Sequence, residues 1–82
     1  MKNKKKKFSS LKSVLILLQQ LQVKYYGNDV FDILLYSTGT IKVYVCLYMY
    51  EPKSFIFCSY DGPVEWLEEY RKLLMHLNNN KL

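Results

Sequence analysis

Alanine is absent from the 82 residues, arginine and histidine occur once each, and there are two cysteines, two prolines and three glycines. Each scarcity removes a class of protein. Two cysteines and one histidine supply neither a disulfide framework nor a four-ligand zinc site, and sparing cysteine use suits a reducing, cytoplasmic setting. The glycines, Gly27, Gly39 and Gly62, are too far apart for a phosphate-cradling loop, and each is explained by one turn. The longest aliphatic run, Val14 to Leu18, is far short of a membrane span. It is also too short for a secretory h-region: Lys12 interrupts it, Gln19, Gln20 and Gln22 follow, and no small-residue cleavage site appears. His76 has no serine or cysteine at a spacing that suggests a nucleophile and base, and Glu65, Glu68 and Glu69 match the ordinary acidic first turn of a helix better than a metal site. The expectation is a protein without catalytic machinery, metal or cofactor.

What is present is unevenly distributed. Lys2, Lys4, Lys5, Lys6, Lys7 and Lys12 give residues 1–12 a charge of +6, while residues 13–82 carry six basic and seven acidic side chains, a net of −1. The excess is an arm, suited to weak, non-specific attraction to phosphate, and the body is not a basic surface. Eleven lysines, eight tyrosines and five asparagines with no alanine point to A/T-rich codons and a low-GC genome, bacterial or viral.

Leu11, Val14, Leu15, Leu18, Leu21 and Tyr25 recur at helical spacing, with Ser9 or Ser10 as N-cap and Gly27-Asn28 as stop. Residues 30–36, 41–50 and 55–60 are rich in β-branched and aromatic types and read as a three-stranded meander. A three-residue loop Ser37-Thr38-Gly39 with Gly39 left-handed pairs Leu35 with Ile41, Ile33 with Val43 and Phe31 with Val45 on the core face, and turns Asp32 outward. A Glu51-Pro52-Lys53-Ser54 turn pairs Tyr50 with Phe55 and Tyr48 with Phe57, which sends Ile56, Cys58 and Tyr60 into the core and sets Cys46 and Cys58 on opposite faces. Pro63 begins a second helix with Val64, Leu67, Tyr70, Leu74 and Leu77 as its stripe, flanked by Trp66 and Leu73, and with a Glu68–Lys72 pair. The expected fold is α+β, in the order α-β-β-β-α, a three-stranded antiparallel meander with two helices on one face. It comprises a basic arm (1–8), one domain (9–78) and a frayed tail (79–82).

In this register the second sheet face carries Leu34 and the rings of Tyr36, Tyr44, Tyr48, Tyr50, Phe55 and Phe57 with nothing in the chain to cover it; the six rings are a candidate partner-binding or dimer surface. The alternative is a nucleic-acid module that uses Lys2, Lys4, Lys5, Lys6 and Lys7 and stacks bases on the same rings.

The element order resembles the double-stranded-RNA-binding domain over residues 9–78, as topology. That family touches phosphates through a loop between its first two strands and lysines at the start of its second helix. Here the loop is Ser37-Thr38-Gly39-Thr40 and the helix begins Pro63-Val64-Glu65-Trp66-Leu67-Glu68-Glu69, so the resemblance implies a fold and not those contacts. In general character, a small domain from a low-GC genome with a large interaction face also resembles the inhibitors that phages and mobile elements direct at host defence, such as anti-CRISPR proteins. The functional expectation is a non-enzymatic interaction module that dimerises or docks on a host protein, with no membrane association.

Overall fold

The computed structural model describes residues 10–24, 30–47 and 50–79. The elements are α1 (Leu11–Val23), β1 (Val30–Leu35), β2 (Ile41–Cys46), β3 (Lys53–Phe57) and α2 (Pro63–Asn79). The strands form one antiparallel sheet in the order β1-β2-β3. The chain is therefore an α+β meander in the expected order. The basic arm lies outside the described residues, as do Tyr25, the Gly27-Asn28 stop and Asn80 to Leu82. Asn79, expected in the tail, belongs to α2.

Local chemistry accounts for the element ends. Ser10 caps α1: its hydroxyl accepts from the Ser13 N–H at 3.4 Å, while the Ser13 hydroxyl donates to the Ser10 carbonyl at 2.7 Å. At the start of α2, Pro63 takes the first helical position, where a missing N–H costs nothing. The Glu65 carboxylate reaches back to accept from the Gly62 N–H at 3.0 Å, half of a capping box.

The first hairpin has the expected register. Phe31 pairs with Val45, Ile33 with Val43 and Leu35 with Ile41. The turn is closed by Gly39 N–H to Tyr36 C=O at 2.9 Å and Tyr36 N–H to Thr40 C=O at 3.0 Å, with Gly39 at φ +96°, a conformation in which a Cβ would be strained.

The second hairpin differs from expectation. Phe57 pairs with Ile41, Phe55 with Val43 and Lys53 with Val45. The Pro52 turn does not form a tight closure; β2 stops at Cys46, and a loop whose Leu47 C=O accepts from Tyr50 N–H at 2.9 Å leads to Lys53. Relative to the expected pairing, the partner of every β2 residue moves by an odd number of positions, which exchanges the two faces of β3. Phe55 and Phe57 enter the core, while Ile56 and Tyr60 are exposed. The physical reason is area. Two phenylalanines against the aliphatic face of β2 remove more apolar surface from water than Ile56 and Cys58 would. Beyond the strand end, the Ser59 N–H donates to Thr40 Oγ1 at 3.0 Å and Thr40 Oγ1 to Ser59 Oγ at 3.2 Å, which pins this register.

One core results. Val14, Leu18 and Leu21 of α1 and Trp66, Leu73 and Leu77 of α2 pack on Phe31, Ile41, Val43, Val45, Phe55 and Phe57. The buried stripe of α2 is thus rotated from the expected one: Trp66 and Leu73 move from its flank to its centre, and Val64 faces solvent. Both helices cover the same sheet face, with α1 against β1 and α2 against β3. No helix among the described residues is long and apolar enough to cross a membrane.

Candidate docking surface: the open sheet face

The register determines which side chains share the face that the helices leave uncovered. Across the three strands, Asp32, Tyr44 and Ser54 form one row, and Leu34, Lys42 and Ile56 the next. Val30 and Cys46 extend the face at one end, and Tyr36 and Thr40 at the other. Leu34 and Ile56 are each 44% exposed on either side of the Lys42 stem, whose methylenes continue the apolar strip. Tyr44 sits half-buried at the centre between Asp32 and Ser54.

The six expected rings do not assemble. Tyr36 and Tyr44 lie at positions of the open face, Tyr50 is exposed in the loop after β2, and Tyr48 lies outside the described residues. Phe55 and Phe57 are core residues, so their assignment to a partner surface is corrected: an odd change in strand pairing put them under the helices. Leu34 lies on this face as expected, and Val30 and Ile56 join it as apolar members. Val30 follows from the alternation of β1, and Ile56 required the true register of β3. The lysines of the alternative reading, Lys2 and Lys4 to Lys7, lie outside the described residues.

Other chemistry-bearing groups lie away from this face or at its ends. Glu69 accepts from the Ile56 N–H at 3.0 Å and pairs with Lys72 at 3.8 Å, so the salt bridge of α2 runs from Glu69, not from Glu68 as expected. His76 is half-buried, its ring 5.8 Å from that of Phe55; burial, with a smaller effect of the Lys53 charge, holds its pKa below the usual histidine value. Burial likewise raises the Tyr70 phenol. Tyr70 lines a cleft of ≈ 140 Å³ with Leu17, Gln20, Leu21 and Lys24, smaller than the several hundred Å³ typical of a small-molecule site. Cys46 and Cys58 are both free thiols. Contrary to expectation the exchange of the β3 faces continues the alternation to Cys58 on the side of Cys46, and what separates them is distance: Cys58 follows Phe57, whose partner Ile41 is five positions or about 17 Å along β2 from Cys46.

Compared with protein-family models, with curated proteins and with solved structures, the chain matches none.

Proposed function

We propose that the protein is a small non-catalytic interaction module that docks through its open sheet face onto an apolar patch of a partner protein. The observation that supports this reading is the strip formed by Leu34, the Lys42 stem, Ile56 and Tyr44 on a face to which neither helix contributes. Apolar side chains on adjacent strands are continuous in a way that scattered surface residues are not, and a tyrosine at the centre offers a broad ring with a polar tip. The role of such a module in inhibiting a host defence protein belongs to the same proposal. Base stacking is less favoured, because a stacking platform needs several rings on one face and two of the six are under the helices.

The test is capture of partners from a low-GC bacterial lysate by the immobilised protein and by its Tyr44→Ser, Ile56→Lys variant. Both residues lie away from the core cluster, so the variant keeps its fold by circular dichroism. Capture by the unmodified chain that persists at ~0.5 M salt and is lost in the variant is expected, since screening at that ionic strength removes phosphate-driven binding but not apolar burial. Capture that disappears with salt, or is unaffected by the substitutions, overturns the reading.

A further inference from the structure

The two edges of the sheet are finished differently. Because Tyr36 and Thr40 form a hydrogen-bonded pair at the hairpin, the alternation of an antiparallel ladder directs the N–H and C=O of Leu34 toward β2, and those of Phe31, Ile33 and Leu35 outward along the free edge of β1. An independent contact agrees: the Gln22 amide of α1 donates to the Phe31 carbonyl at 2.6 Å from outside the ladder. Beyond Phe31 this cover ends. Among the described residues nothing bonds the outward groups of Ile33 or Leu35, and Leu34, Leu35 and Tyr36 are 44%, 61% and 47% exposed. An apolar edge with unpaired backbone groups is a template for another strand.

We propose that this edge pairs with β1 of a second copy, antiparallel about a two-fold axis at Leu34, joining two sheets into one. The register follows by elimination. An axis at Asp32 would oppose two carboxylates and require the Phe31 carbonyl that Gln22 holds. An axis at Ile33 also brings Phe31 into the ladder. An axis at Leu35 would place Ser37, a turn residue, opposite Ile33. With the axis at Leu34, Ile33 lies opposite Leu35 of the partner and each exchanges both outward groups, using only backbone that has no partner among the described residues. Asp32 then faces Tyr36 of the partner, so no like charges meet, and the two Leu34 side chains meet at the centre of a non-hydrogen-bonded pair on the open face. The surface is self-complementary, as an isologous interface must be, which is why a second copy and not an unrelated strand is the occupant. The inference concerns the edge and stands apart from docking through the face: a dimer formed in this way leaves Tyr44 and Ile56 uncovered.

Sedimentation equilibrium from ~1 to ~300 μM in ~150 mM salt, where arm–arm repulsion is largely screened, should show a reversible monomer–dimer equilibrium. Leu35→Pro deletes an outward N–H without touching the internal ladder, which edge strands tolerate, and should raise the dimer dissociation constant at least ~10-fold with the far-UV spectrum unchanged. A second readout does not depend on that variant folding. In a Cys46→Ser, Cys58→Ser background, Leu34→Cys should cross-link between copies on mild oxidation, because a non-hydrogen-bonded pair on the axis brings the two Cβ atoms within disulfide reach, whereas Asp32→Cys should not. A monomer throughout the concentration range overturns the proposal, as does a dimer indifferent to Leu35→Pro or cross-linking at position 32 in preference to 34. Since Tyr44→Ser, Ile56→Lys should leave the dimer intact and Leu35→Pro should leave lysate capture intact, failure of the edge proposal and failure of the docking proposal are separately visible.

Discussion

The β3 edge of the sheet is covered at its α2 end, at Ile56 and Cys58, and the β1 edge at its opposite end, at Phe31, although both strands are short, apolar and packed on the same core. Along β3, Glu69 takes the Ile56 N–H, and the Cys58 carbonyl just past the strand accepts from the Trp66 indole at 2.8 Å and from the Asp61 N–H at 3.1 Å. All three groups come from α2 or the turn that leads into it. Along β1, the Gln22 amide at 2.6 Å closes the Phe31 end, and nothing among the described residues follows it toward the hairpin. The lesson is that connection geometry decides edge protection. The turn from β3 into α2 is short, so the helix returns directly along the strand it has just left, whereas α1 meets β1 near the strand's beginning and leaves its end uncovered. Unpaired edges invite pairing with another chain.

The comparison rests first on the register that gives β3 its faces. Phe57 is fully buried and Ile56 is exposed, so Phe57→Ala should cost about 3 to 5 kcal/mol in urea melts, while Ile56→Ser should cost less than about 1. Because a domain of this size has only about 5 to 15 kcal/mol to lose, the phenylalanine variant is expected near the limit of folding. The opposite ranking would restore the tight Pro52 turn and dissolve the contrast between the edges.

A smaller effect sharpens it. Removing the carboxylate with Glu69→Ala leaves the Ile56 N–H to water and should lower stability by about 1 kcal/mol. Native-state hydrogen exchange at low protein concentration then gives the comparison residue by residue. The Ile56 amide is expected to be protected in the unmodified chain and to exchange markedly faster in the variant, whereas the Ile33 and Leu35 amides exchange quickly in both. Equal protection at the two edges of the unmodified chain would contradict their difference.

The smallest expected effect is a pH dependence confined to the β3 side. His76 of α2 lies against Phe55 of β3, and burial, with the Lys53 charge, lowers its pKa. The unfolded chain therefore binds a proton more readily than the folded one. The contribution of neutral His76 is fully present above the unfolded histidine range, near ~6.5, and declines as the pH falls through it toward the lower folded value. Thermal melts between pH 7.5 and 5.5 should show a modest fall in Tm that His76→Asn flattens. A Tm that rises as the pH drops would reverse the assigned sign.

Much of this architecture is legible in the sequence. Helical spacing from Leu11 to Leu21, the Ser10 cap, the proline and acidic start of α2 and the left-handed glycine at Gly39 are local signals, and each acts through bonds within a few residues. The first hairpin followed because a three-residue loop ties register to turn geometry. Leu35, expected in the core, is exposed because strand alternation names a face and says nothing of how far along the strand a helix extends over it.

The sequence by itself determined the order of elements, the aliphatic face of β2 and the placement of Asp32 outside the core, since these depend on periodicity and on one tight turn. Only the tertiary structure decided which face of β3 is inside, and with it the composition of the open face. The segment between β2 and β3 is long enough to permit more than one pairing, and alternating residues on β3 are apolar on both faces, so local pattern does not choose between them. The choice is made by contacts distant in sequence: Phe55 and Phe57 fill the space over β2 beneath the helices, and Thr40 with Ser59 ties the far end. Edge protection was likewise invisible in the sequence, because Gln22 and Glu69 read as ordinary polar residues of a helix until the fold brings each beside a strand whose backbone groups lack partners.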